Sequence, residues 1–181
     1  MLNYIQQINQ IICMPTLGKN VEYAIHSLVY LIDNPKSETI TVRDLANFQN
    51  ISETYLAKAF TKLKKAGIVK SNIGVKGGYK LARSAEEITF LDIVLAVEGE
   101  ISFFECNQIR DNCIMLDKEN LPWKKDSVCA IHQVMIETEN KIKDSLREKN
   151  LQWVHNMIRK QYGQEMIDNA QDWFQSNVFN K

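Results

Sequence analysis

The sequence predicts a mainly α-helical protein with one small β-hairpin, an α+β arrangement in which a winged helix-turn-helix is followed by a long amphipathic helix. Three observations carry this prediction: a helix, tight turn and second helix over residues 41–66, a glycine-rich basic hairpin directly after them, and an amphipathic stretch over residues 127–148.

Taken in order, residues 21–32 form a helix that offers Tyr23, Ala24, Leu28 and Leu31 for packing, and Asn34-Pro35 stops it. Thr41-Val42-Arg43-Asp44 is a capping box, in which a hydroxyl and a carboxylate three residues apart satisfy orphan amides at a helix start. Gln49-Asn50-Ile51 makes the turn. Ser52 is the N-cap of the second helix, and Ile51 and Leu56 form a hydrophobic staple across it. Leu56, Phe60 and Leu63 fall on one face of that helix, while Glu53, Tyr55, Lys58 and Lys62 fall on the other. Gly67 ends it in a left-handed conformation. Residues 68–71 and 78–81 read as two short strands joined by the loop 72–77. Thr89 with Asp92 repeats the capping box, Ile88 with Ile93 repeats the staple, and Gly99 closes that helix.

From 100 to 126 the periodicity disappears, which predicts a long loop, and loops of that length in a compact domain are usually functional or disordered. Helical periodicity returns over 127–148, with Ile131, Val134, Met135, Ile142 and Leu146 along one stripe about 30 Å long. So small a domain cannot cover that stripe, so a second subunit is expected to. Residues 151–162 and 164–174 read as two further amphipathic helices separated at Gly163, with no task assigned. The expected organisation is an N-terminal extension over 1–13, a winged helix-turn-helix over 14–99, a cysteine-containing loop over 100–126, the long helix over 127–148 and a helical extension over 149–181.

At 181 residues and 45% hydrophobic content, the chain can bury a substantial core. Its formal net charge is zero, yet residues 36–83 hold ten Lys and Arg against three acids. That imbalance suits a protein presenting one face to phosphates. No apolar run approaches a membrane span, and residues 1–12 lack the basic and apolar regions of a secretion signal. Four cysteines in such a chain point to reduced thiols or metal ligands in the cytoplasm rather than to a disulfide framework. No Cys-x-x-Cys, phosphate loop or paired nucleophile and base marks an enzyme.

On a DNA-reading helix, short polar groups near the N-terminus meet base edges while flanking lysines hold phosphates. Ser52, Glu53, Thr54, Tyr55, Lys58 and Lys62 are the candidates on the helix, and Lys70, Lys76 and Lys80 those on the hairpin. Glycines at 74, 77 and 78 permit a tight hairpin tip that can approach a phosphate backbone.

Ile51-Ser52-x-x-Tyr55-Leu56, then Leu63-x-Lys65-Ala66-Gly67-Ile68-Val69-x-Ser71, then Gly77-Gly78-Tyr79-x-Leu81-Ala82-Arg83 resembles the Rrf2 family of bacterial winged-helix transcription regulators, of the IscR, NsrR and CymR type. The likeness extends back to Tyr23-Ala24 and forward through Ile88-Thr89-x-x-Asp92-Ile93 to Ala96-Val97-Glu98-Gly99. It implies a homodimer, paired through the 127–148 helix, on a roughly palindromic double-stranded DNA operator. Members of the family usually begin near Met14 and carry an arginine on the wing before the first glycine. Here Ile73 stands in its place, leaving Lys76 or Lys70 as the substitute.

Cluster-binding members of this family carry three cysteines in the interval that here holds Cys106, Cys113 and Cys129, and some add a histidine three residues after the last. The resemblance therefore implies Cys106, Cys113, Cys129 and His132 as ligands of a [2Fe–2S] cluster. Thiolates with one imidazole are suitable donors for such a centre, and equally for zinc. Cys13 falls outside the pattern, and His26 and His155 are isolated. The expected function is a DNA-binding regulator, of repressor type, whose affinity responds to iron, redox state or nitric oxide through the cluster. A cluster-free regulator sensing by thiol oxidation or a protein partner, and a zinc-stabilised interaction module, are the alternatives.

Overall fold

The computed structural model describes residues 17–34, 38–72, 74, 77–100, 102, 104–107, 109–116, 121–124 and 127–179. Cys13, Met14, Pro35, Ile73 and Lys76 lie outside the described residues. Seven α-helices and one hairpin are present among them: α1 (Lys19–Val29), α2 (Val42–Gln49), α3 (Glu53–Lys65), β1 (Val69–Asn72), β2 (Gly78–Leu81), α4 (Phe90–Glu98), α5 (Ala130–Arg147), α6 (Leu151–Tyr162) and α7 (Gln164–Phe174). The predicted fold class is the observed one.

Local signals set most boundaries. At α2 the Thr41 hydroxyl accepts from the Asp44 amide at 3.0 Å, but the Asp44 carboxylate accepts from that hydroxyl at 2.6 Å instead of reaching the Thr41 amide. The expected box is therefore half made. At α4 it is complete: the Asp92 amide donates to Thr89 Oγ1 at 3.1 Å, and the Thr89 amide to Asp92 Oδ2 at 3.0 Å. Asn50 ends α2 in the left-handed region at φ 52°, one of the few non-glycine residues suited to it. The first helix runs two or three residues earlier than its periodicity suggested, because Tyr30 already closes it.

Leu56, Ala59, Phe60 and Leu63 bury the inner face of α3 against α1 and α4, with Leu28, Leu45, Ile68 and Ile93 completing the centre. The hairpin is antiparallel, pairing Val69 with Leu81, Lys70 with Lys80, Ser71 with Tyr79 and Asn72 with Gly78. Its other edge is held at one point, where Ile40 and Tyr79 exchange backbone hydrogen bonds of 3.1 and 2.8 Å. The Tyr79 ring stands edge-on to Phe60 at 5.0 Å. Gly78, at φ 155°, passes so close to Ile40 that a Cβ would meet its carbonyl carbon at 2.8 Å and oxygen at 2.9 Å.

The two C-terminal helices join the same core. Asn150 caps α6 by accepting from the Trp153 amide at 2.8 Å, and its side-chain amide donates to Glu86 O at 3.1 Å. Leu151 is fully buried, and its amide donates to Ile88 O at 3.0 Å. Gly163, at φ 84°, separates α6 from α7. From α7, Trp173 and Phe174 pack on Phe48 of α2 with ring centroids 4.9 and 4.8 Å away, and Tyr30 meets Phe48 edge-on at 4.8 Å.

Gly78→Ala is expected to lower the unfolding free energy by about 1–3 kcal/mol, since the Ile40 backbone must move to admit a methyl group. Gly67→Ala, where nothing lies within 4 Å of the added carbon, pays only for its left-handed backbone and should cost less. Chemical denaturation of both variants checks the order.

Candidate DNA interface and cysteine cavity

Burial of the inner face of α3 leaves Ser52, Glu53, Thr54, Tyr55 and Lys58 exposed together at its N-terminal half. Ser52 has the extended backbone of an N-cap, but its hydroxyl makes no capping hydrogen bond. Ser52 is thus the N-cap expected from the sequence, but without the side-chain bond, and the positive end of the helix dipole there favours an anion. Lys58 lies with Nζ 5.8 Å from the centre of the Tyr55 ring.

Lys62, expected on the DNA face, has a partner within the chain. Its ammonium donates to the carbonyl of Val97 at 2.5 Å, at the C-terminal end of α4. There it meets the negative end of that helix and ties α3 to α4. On the wing, Lys70 and Lys80 are direct cross-strand partners.

Cys106, Cys129 and His132 line one open cavity with Phe104, Arg110, Asp111 and Ser127. Cys129 is the N-cap of α5, and its Sγ accepts from the His132 amide at 3.3 Å. The imidazole of His132 lies 5.7 Å from the Phe104 ring. Cys113 is exposed, follows the 3-10 turn Ile109–Asn112 and does not line this cavity. Among the described residues no three His, Cys, Asp or Glu side chains stand close enough together to hold a metal ion. The expected four-ligand set is thus brought together only in part: two thiols and one imidazole share a cavity, and the third thiol sits on an adjacent turn of a loop whose conformation no regular element dictates.

A polar clasp holds that loop, and the sequence reading missed it. The Arg110 guanidinium lies 5.0 Å over the Trp123 ring, donates to the Ser127 carbonyl and pairs with Asp111 at 3.3 Å, while Trp123 Nε1 donates to Asp111 Oδ1 at 3.0 Å. A tryptophan inside an aperiodic stretch was the available signal.

The α5 stripe divides. Ile131 is 70% exposed and Val134 60% exposed, whereas Met135 and Ile142 are half-buried and Leu146 packs on the core. Not one residue of α5 is fully buried.

Residues 17–157 match the family model described as Rrf2, iron-dependent transcriptional regulator. The chain belongs to this family. Among relatives of this Rrf2 protein, YwgB of Bacillus subtilis, described as an HTH-type transcriptional regulator, is 29% identical over 157 residues, covering 87% of this chain and 93% of its own. The regulator IscR of Cereibacter sphaeroides is 42% identical over 88 residues, 48% of this chain and 57% of its own. Of solved structures, the global cysteine regulator CymR of B. subtilis superposes with a TM-score of 0.58 at 24% identity, covering 81% of this chain and 98% of that one, a likeness of fold. Helix α7 lies beyond the Rrf2 match.

Salt titrations of DNA affinity separate the lysines. Lys58→Met and Lys70→Met are each expected to reduce the slope of log affinity against log salt by about 1. Lys62→Met should leave the slope nearly unchanged and instead lower stability by about 1 kcal/mol, through loss of the Val97 hydrogen bond. An equal loss of slope in all three would mean that Lys62 leaves Val97 to reach DNA.

Proposed function

We propose that this Rrf2 protein is a cytoplasmic, homodimeric repressor that binds a palindromic double-stranded DNA operator and changes affinity with the state of a [2Fe–2S] cluster. The observation that carries the DNA reading is the exposed polar half of α3 beside the opposed Lys70 and Lys80 of the wing. Ser52, Glu53, Thr54 and Tyr55 would face base edges, with Lys58, Lys70 and Lys80 on phosphates; Lys76 would extend that contact from the hairpin tip. Two such helices related by a two-fold axis would read half-sites about 34 Å apart. Dimerisation through the outer part of α5 is supported by Ile131 and Val134, which one subunit leaves exposed; Met135, Ile142 and Leu146 would continue the seam towards the core.

The family's iron dependence and the donor chemistry of Cys106, Cys129 and His132 support the cluster, with Cys113 as the remaining thiol. Such a cluster supplies a centre whose charge and integrity change with oxidation and iron supply. The chain's own part is to present two thiols and an imidazole from a loop and the start of α5, so that their spacing is coupled to the helix that would join the subunits. A cluster-free regulator is the second reading, favoured by the exposure of Cys113, a thiol placed for oxidation or for contact with a partner.

Anaerobic purification from an iron-replete host should give coloured protein with about two irons and two sulfides per subunit. Cys106→Ser, Cys113→Ser and Cys129→Ser should each bleach it. Colourless, metal-free protein that still binds an operator would favour thiol or partner sensing. Stoichiometric zinc would favour a structural site. For assembly, the double substitution Ile131→Asp and Val134→Asp should yield a folded monomer with lost operator affinity; light scattering that finds the unsubstituted protein monomeric at micromolar concentration refutes the dimer.

A further inference from the structure

Between α7, the C-terminal end of α1 and the first helix of the helix-turn-helix lies a cavity of about 490 Å³. Sites for small organic ligands span about 300–1,000 Å³ and are mostly apolar with a few placed polar groups. The walls here are aromatic: Tyr30, Phe48, Trp173 and Phe174 all face the space. Burial pushes the Tyr30 phenol above its ordinary value of 10.0, so that ring is neutral at physiological pH. The ionisable groups besides Tyr30 are Asp33, Asp172, His26 and His155, and no Lys or Arg is among the described lining residues.

His155 is the informative group. It is 2% exposed, and its Nε2 lies 2.6 Å from Asp33 Oδ2. The two make a close polar contact, but not along the direction a hydrogen bond requires, and Nδ1 has no hydrogen-bond partner among the described residues. Buried ring nitrogens are normally partnered. His155 lines the same cavity, so a ligand's polar group can supply the missing partner.

We propose that this cavity is a binding site for a small organic cation, an ammonium with an apolar aromatic body. The ring faces attract positive charge, Asp33 and Asp172 supply counter-charge, and the unpartnered His155 ring offers a polar contact. Among the described lining residues no Lys or Arg would pair with an anion. Because Phe48 belongs to α2, the occupant touches the helix that packs behind the recognition helix. The site itself stands independently of the DNA and cluster readings.

Three probes of similar shape test it on the full chain without DNA: dibenzylammonium, dibenzyl ether and dibenzyl phosphate, followed by calorimetry and by quenching of tryptophan fluorescence. Dibenzylammonium is expected to bind at least about tenfold more tightly than the ether, with the phosphate weakest. Trp173→Phe should remove most of the quenching. Asp33→Asn should reduce affinity for the ammonium about tenfold while leaving the ether unchanged. Ala170→Met, which projects into the cavity, should abolish binding of both. Should Asp33→Asn fail to fold, the comparison of three probes on unsubstituted protein decides alone. No binding by the ammonium, equal binding of ammonium and ether, or preference for the phosphate overturns the proposal.

Discussion

The geometry of the winged helix-turn-helix depends on one junction, the two-bond pairing of Ile40 with Tyr79. A two-stranded hairpin is at best marginally stable alone. Here its second strand gains a neighbour on the far side, and the Tyr79 ring, lying edge-on against Phe60, carries the same attachment into the core. Phe60 belongs to α3, so a single residue fixes the wing against both the segment leading into α2 and α3 itself.

Much of this fold is written in short-range patterns, and those were legible. Thr89 and Asp92 stand three residues apart and complete each other's hydrogen bonds, so the pair announces the start of α4 without help from the rest of the chain. Gly163 likewise divides α6 from α7 where the periodicity breaks. What stayed hidden depends on distant partners. Lys62 looks like an ordinary solvent-side lysine until Val97, thirty-five positions on, is folded against it. Gly78 reads as a turn residue, yet the stricter reason for glycine there is the backbone of Ile40. The purpose of α7 was illegible because its apolar face is matched by Tyr30 and Phe48, which no spacing rule connects to it.

The cysteine segment shows a different limit. Cys129 and His132 share a helix start, and their proximity followed from helical spacing alone. Cys106 and Cys113 sit where side chains rather than backbone periodicity determine the path. The Arg110, Asp111 and Trp123 clasp draws the loop in, so that Cys106 reaches the cavity and Cys113 faces outward. A donor set can be named from residue types, but whether the donors meet depends on such contacts.

The manner in which α5 is attached has a mechanical consequence. Its C-terminal end is clamped: Leu146 packs on the core, and just beyond it the Phe90 amide donates to Lys149 O at 2.9 Å. Its N-terminal end, bearing Cys129 and His132, carries no fully buried residue. An 18-residue helix held this way is a lever about 27 Å long with its fulcrum at the α4 junction. A tilt of about 10° at the fulcrum sweeps the far tip through roughly 5 Å, and the converse also holds. Displacements of a few ångströms at the cysteine end reach the winged domain as a rotation of only a few degrees, geared down in amplitude and applied at the base of α4.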